Sequence, residues 1–210
     1  MLTRMQTRNP TLKCARDNSG DEFVRPGKFR NPVAVLFERP TEAAVELGRA
    51  LTGRTEVNLC RVFERLKFID AIRYKNFCSK DVLVWNTYAD ANKRVQDDGG
   101  CHALNFRRRS IKTKRYVFCF GFAAHETYRE IAGGDKLWGS NKVVVQLCHL
   151  GDRGVQNVFK WHDPKGKLVL NEKLDIIAMY IDECCKKGGF FSISDFERGV
   201  EKIMRLNALT

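Results

Sequence analysis

Arg107-Arg108-Arg109-Ser110-Ile111-Lys112-Thr113-Lys114-Arg115 is a dense run of chemistry-bearing residues: six of the nine are cationic and none is acidic. Guanidinium forks match phosphate oxygens at two points, and ammonium groups act as compact point charges. Set at a turn between two strands, such a run presents one cationic patch. With about six phosphates neutralised, log K would fall with log salt at a slope of roughly −4 to −5. Phe106 and Tyr116 flank the run, and rings beside cations can stack bases at about 1–3 kcal/mol each. Arg4, Arg8, Lys13 and Arg16 precede the first acidic residue, Asp17, and read as auxiliary phosphate contacts. A nuclear-import tract or a solvated turn would carry the same pattern, and both alternatives stay open.

Other reactive residues are less well arranged. Cys101-His102, Cys119, His125, Cys148-His149 and His162 are the potential metal ligands. Zinc ligands usually arrive as spaced pairs, whereas adjacent residues point to opposite faces of a strand. No metal site is expected. His125-Glu126-Thr127 resembles half of a paired His-x-Thr phosphoesterase signature, but no second copy occurs. Asp163 and Glu172-Lys173 fall short of the carboxylate cluster of a metal-dependent nuclease. No P-loop and no Gly-x-Gly-x-x-Gly is present, so no nucleotide cofactor is expected. The basic-Gly-aromatic signature of an RNA-recognition motif is also missing. The residues therefore favour a non-enzymatic binder, with a nuclease or phosphoesterase as the alternative.

Charge narrows the partner class. Over 210 residues the formal charge is +12; residues 1–170 carry 31 cationic and 18 acidic side chains, and residues 171–210 carry 6 and 7. A positive field of this size draws polyanions and speeds their association. Nucleic acid is the first expected partner, RNA ahead of DNA and with weak sequence preference. An anionic membrane surface, met by a peripheral matrix-like protein, is the second. With 43% hydrophobic and 30% charged residues the chain reads as globular. No apolar run approaches the length of a transmembrane helix. No early apolar segment marks a secretory signal, so an intracellular setting, nucleus or cytoplasm, is expected; the Arg-rich start also allows a mitochondrial presequence. The eight cysteines mostly sit in apolar runs and are expected as buried free thiols.

Periodicity supplies the elements that must position these groups. Residues 1–32 read as a basic flexible arm, 33–170 as a single domain, and 171–210 as a helical pair packed on or extending it. Pro40–Leu51 reads as a helix, followed by a second one capped at Thr55 and carrying Leu59, Val62, Phe63, Leu66, Ile69 and Ile72 at helical spacing. Strands are expected at Val82–Trp85, Ala103–Arg109, Lys114–Phe122 and Lys142–Leu150, with a short helix over Ala123–Ile131. Val155–Trp161 and Lys167–Leu170 read as a hairpin turning at Asp163–Gly166. One terminal helix starts at Asn171, and Ser194-Asp195-Phe196-Glu197 matches a capping box for the other. The expected fold class is α+β, with a mostly antiparallel β-sheet body, an N-terminal helical segment and a C-terminal helical pair. That near-neutral pair is the expected homo-oligomer surface. The architecture suits a small packaging or coat protein, or an RNA-sequestering one, of a fast-evolving source such as a virus; this is analogy only.

Overall fold

Four apolar runs, Val33–Phe37, Leu83–Asn86, Tyr116–Phe120 and Val143–Leu147, are buried at every position. Alternate side chains of a strand point to opposite faces, so each strand must be covered on both sides. That is the burial pattern of a parallel sheet. The computed structural model describes residues 24–25, 32–38, 44, 46–47, 50–66, 82–86, 111–132 and 141–207. Its strands are β1 (Val24–Arg25), β2 (Val33–Phe37), β3 (Leu83–Asn86), β4 (Tyr116–Phe120), β5 (Val143–Leu147) and β6 (Gly189–Phe191). They are ordered β1-β3-β2-β4-β5-β6. Among the described residues only the two-residue β1 runs antiparallel, at the edge beside β3, and the other five strands are parallel. The expectation of a mostly antiparallel sheet is thereby overturned. Apolar residues at successive positions signal two covered faces, and strict alternation with polar residues, the mark of a half-exposed antiparallel sheet, is absent from these runs.

Five helices lie among the described residues: α1 (Gly53–Arg65), α2 (Phe122–Ala132), α3 (Asp152–Phe159), α4 (Leu170–Lys187) and α5 (Ile193–Asn207). One face of the sheet carries Val35, Phe37, Phe118, Phe120, Val145 and Leu147, packed with Leu59 and Phe63 of α1, Val155 and Phe159 of α3, Ile177 and Ile181 of α4, and Phe196 and Val200 of α5. The other face carries Ala34, Leu36, Val117, Cys119 and Val144 against Ala124, Tyr128 and Ala132 of α2. Each large side chain so buried contributes about 1.5–3 kcal/mol. The β4–α2–β5 and β5–α4–β6 connections step the same way along the sheet yet cover opposite faces. They therefore have opposite hands, and one of them departs from the usual right-handed rule.

Local signals explain most element ends. The helix expected to be capped at Thr55 is capped three residues earlier, at Thr52, and closes at Leu66; Ile69 and Ile72 lie outside the described residues. Of the expected Pro40–Leu51 helix, Ala44 and Glu46 are helical. The expected hairpin is overturned as well: Val155 and Phe159 recur at helical spacing and form the buried stripe of α3, with the half-buried Val158 packed beside them. Its turn survives, with Gly166 at φ +59 donating its N–H to the Asp163 carbonyl at 3.0 Å. At α4 the Glu172 carboxylate accepts from the Val169 N–H at 2.8 Å, which places the start ahead of Asn171. At α5 Ser192 and Asp195 form the reciprocal cap, since the Ser192 N–H donates to Asp195 and the Asp195 N–H donates to the Ser192 hydroxyl. The expected Ser194–Glu197 box is thus displaced by two residues. Between α4 and α5 the chain adds β6, entered through Gly188 and Gly189 at φ +74 and +98. The C-terminal pair is therefore built into the sheet, and its apolar stripes face the core.

Candidate functional site

Register aligns the starts of the parallel strands. Val33, Tyr116, Val143 and Gly189 stand in one row, and the residues just before them form the amino edge of the sheet. That edge is basic. Lys112, Lys114 and Arg115 precede β4, Lys142 precedes β5, and Lys186 and Lys187 precede β6. Lys142 draws the edge together, its Nζ donating to the carbonyls of Ile111 (3.1 Å), Lys112 (3.0 Å) and Lys114 (2.9 Å). Burial, with the neighbouring charge of Lys112, holds the Lys142 ammonium below the ordinary lysine pKa.

The residues expected to touch phosphate separate into three groups. Lys112 and Arg115 are exposed on this edge, with the Arg115 guanidinium 5.3 Å from the centre of the Tyr116 ring. Lys114 is only 4% exposed and Tyr116 8%, which removes both from the expected contact set. Tyr116 begins a strand whose alternation sends its ring into the core with Phe118. Burial also lowers the Lys114 pKa and raises that of Tyr116. Arg107, Arg108, Arg109 and Phe106, with Arg4, Arg8, Lys13 and Arg16, lie outside the described residues.

Sequence reasoning missed the contributions of Lys142 and Lys186. Each was separated from the cationic run by dozens of residues, and only parallel pairing of β4, β5 and β6 brings them to its end. For Lys142 the available signal was its place immediately before the buried apolar run Val143–Leu147.

The opposite end of the sheet has a different chemistry. Phe37, Phe120 and Leu147 form the last row, and Glu38, Gly121 and His149 follow it. Gly121 has φ +96, and a Cβ there would stand 3.0 Å from Glu38 Oε2 and 4.0 Å from His149 Cδ2. The carboxylate oxygen and the imidazole edge thus lie at most about 7 Å apart across a glycine. His149 packs edge-on to Phe37, ring centres 6.4 Å apart, and its Nδ1 accepts from the Gly151 N–H at 2.9 Å. That bond leaves the proton of the neutral ring on Nε2. Asn58 of α1 ties down the same loop, donating to Leu150 O at 2.7 Å and to Asp152 Oδ1 at 3.1 Å.

No group of three His, Cys, Asp or Glu able to hold a metal occurs among the described residues. Cys119 and Cys148 pack in the clusters on opposite faces of the sheet. Burial raises both thiols, Cys148 to about 12, so neither is a ready thiolate. No described helix is long and apolar enough to cross a membrane. No protein-family model matches the chain, and no curated protein matches it.

Proposed function

We propose that the chain binds nucleic acid, RNA ahead of DNA and with weak sequence preference, through the basic amino edge of its sheet. The observation that carries this reading is the clustering of Lys112, Arg115 and Lys186 at one end of the sheet. All three are exposed, and none is paired with a carboxylate among the described residues. Unpaired cations have no competing partner to give up when a phosphate arrives, and their release of condensed counterions drives association. Arg107, Arg108 and Arg109 lie just ahead of this edge in the chain and extend the contact set. The formal charge of +12 supplies the long-range attraction. Self-association through α4 and α5 would use their outer sides, where Met179 and Leu206 are exposed.

A salt titration tests the proposal. Binding of the wild type to labelled single- and double-stranded RNA and DNA is compared with that of a Lys112→Ala, Arg115→Ala, Lys186→Ala variant. Loss of three phosphate contacts should lower the slope of log K against log salt by about 2–3. An unchanged slope in a variant with a native circular dichroism spectrum would overturn the assignment.

A further inference from the structure

We infer that the turn joining α3 to α4 roofs a binding site for a small amphiphile with one anionic end, a medium-chain alkyl carboxylate. A cavity of about 360 Å³ opens beneath that turn, over Ile176 of α4 and Met204 of α5. Its size falls at the lower end of the range for small-molecule sites, about 300–1,000 Å³. Ile176 stands ten residues before Lys186, about 15 Å along the helix, so the cavity is separate from the basic amino edge.

The roof is built before any ligand arrives. Asp163 pins the turn: its Oδ1 accepts from the Lys167 N–H and its Oδ2 from the Leu168 N–H, both at 2.9 Å. Lys173 Nζ stands 3.6 Å from Asp163 Oδ2, with both side chains buried, and donates to Gln156 Oε1 at 2.7 Å. The carboxylate in the cavity lining is thus already matched by two amides and an ammonium, which offset its repulsion of an incoming anion. A turn held in this way loses little further freedom on binding.

Wall and mouth differ in chemistry. Leu168, Ile176 and Met204 supply an apolar wall continuous with the main core, and the unbranched Met204 adapts to irregular shapes. His162, Lys165 and Lys167 supply the mouth. Both lysines are exposed and His162 is half-buried; none of the three is paired with a carboxylate among the described residues. Lysine stems cover apolar surface while their heads stay in water. An apolar wall below a cationic rim suits a ligand whose tail is buried and whose head remains at the surface. A bare polyanion would gain nothing from the wall, and a neutral hydrocarbon nothing from the lysines. An apolar cavity of about 150 Å³ holds benzene, so this one has room for roughly ten carbons.

Calorimetric titration with acetate, octanoate, decanoate and 1-octanol, each below its aggregation concentration, tests the site. Burial of two further methylenes should make decanoate bind about 15-fold more tightly than octanoate, and acetate should not bind. A Lys165→Gln, Lys167→Gln variant should weaken decanoate by about 3- to 10-fold, the worth of two exposed charge pairs, and leave 1-octanol unchanged. Met204→Trp, which fills the cavity, should weaken both ligands; each variant is checked for native circular dichroism. The Lys112→Ala, Arg115→Ala, Lys186→Ala variant should bind decanoate as the wild type does, whatever becomes of its nucleic-acid binding. Absence of binding at millimolar decanoate, equal affinity for octanoate and decanoate, or an affinity unchanged in the folded lysine variant would overturn the site. Uptake onto anionic vesicles without binding of the monomeric carboxylates would make the patch a membrane surface and overturn it equally.

Discussion

Gly154 gives the sharpest test of how the loop after β5 is built. It sits in the first turn of α3, where Gly→Ala ordinarily stabilises a helix by about 0.5–1 kcal/mol. The tertiary structure reverses that sign. A Cβ at residue 154 would lie 2.2 Å from the His149 carbonyl oxygen and 3.0 Å from its carbonyl carbon, where ordinary contacts begin near 3.4 Å. The obstacle is backbone, so it has no rotamer in which to yield. Relief requires α3 to move by about 1 Å, straining the Val155 N–H to Gly151 O bond of 3.1 Å and the buried contacts of Val155 and Phe159. Overpacking of this kind costs about 1–3 kcal/mol, or roughly 2–12 °C in Tm for a chain of this size. Asn157→Ala, on the exposed side of the same helix, provides the control: propensity alone should leave it neutral or slightly stabilised. Urea denaturation of wild type, Gly154→Ala and Asn157→Ala decides the matter. A Gly154→Ala protein as stable as the wild type, or more so, would refute the close approach of α3 to His149.

Two further outcomes are expected. Lys142→Met keeps the aliphatic stem but removes the donor to three carbonyls; it should cost about 1–3 kcal/mol and speed amide exchange over residues 111–114, and protection equal to wild type would refute the clamp. His125 is stacked on Phe190 with ring centres 5.1 Å apart, and burial, opposed by Glu126 and reinforced by Arg129, lowers its pKa below the usual 6.5. The unfolded chain then binds more protons in the window just below 6.5, so this contribution is fully present above that pH and is lost as the pH falls toward the folded pKa. Thermal melts between pH 7.5 and 5 should show a steeper loss for the wild type than for His125→Phe, and equal slopes would refute the buried neutral ring.

Individual elements were readable where one short-range signal dominates. Leu59, Val62, Phe63 and Leu66 declare α1 by spacing alone, and Gly188-Gly189 declare the end of α4 because both need positive φ. Tyr116-Val117-Phe118-Cys119-Phe120 declares a strand. Its unbroken apolar character declares two covered faces, the pattern of a parallel strand, but which strands lie on either side of it is not written in the run. The hairpin expected over Val155–Leu170 failed for a related reason: Val and Phe at helical spacing outweigh their strand preference once α3 has a face to pack against. The basic run was visible as composition, but Lys114 and Lys112 look alike in sequence. Only the burial of one and the exposure of the other tells a packed lysine from an available one.

The charge of the chain follows from composition alone, and the buried runs and the places where the backbone must turn are local, each depending on residues within a turn or two of one another. Pairing in three dimensions is what sets β2 between β3 and β4, brings Lys142 and Lys186 to the edge of Lys112 and Arg115, and places Glu38 and His149 on either side of Gly121. Those residues are separated by tens of positions, and only the register of paired strands, set by covering two apolar faces at once, brings them together.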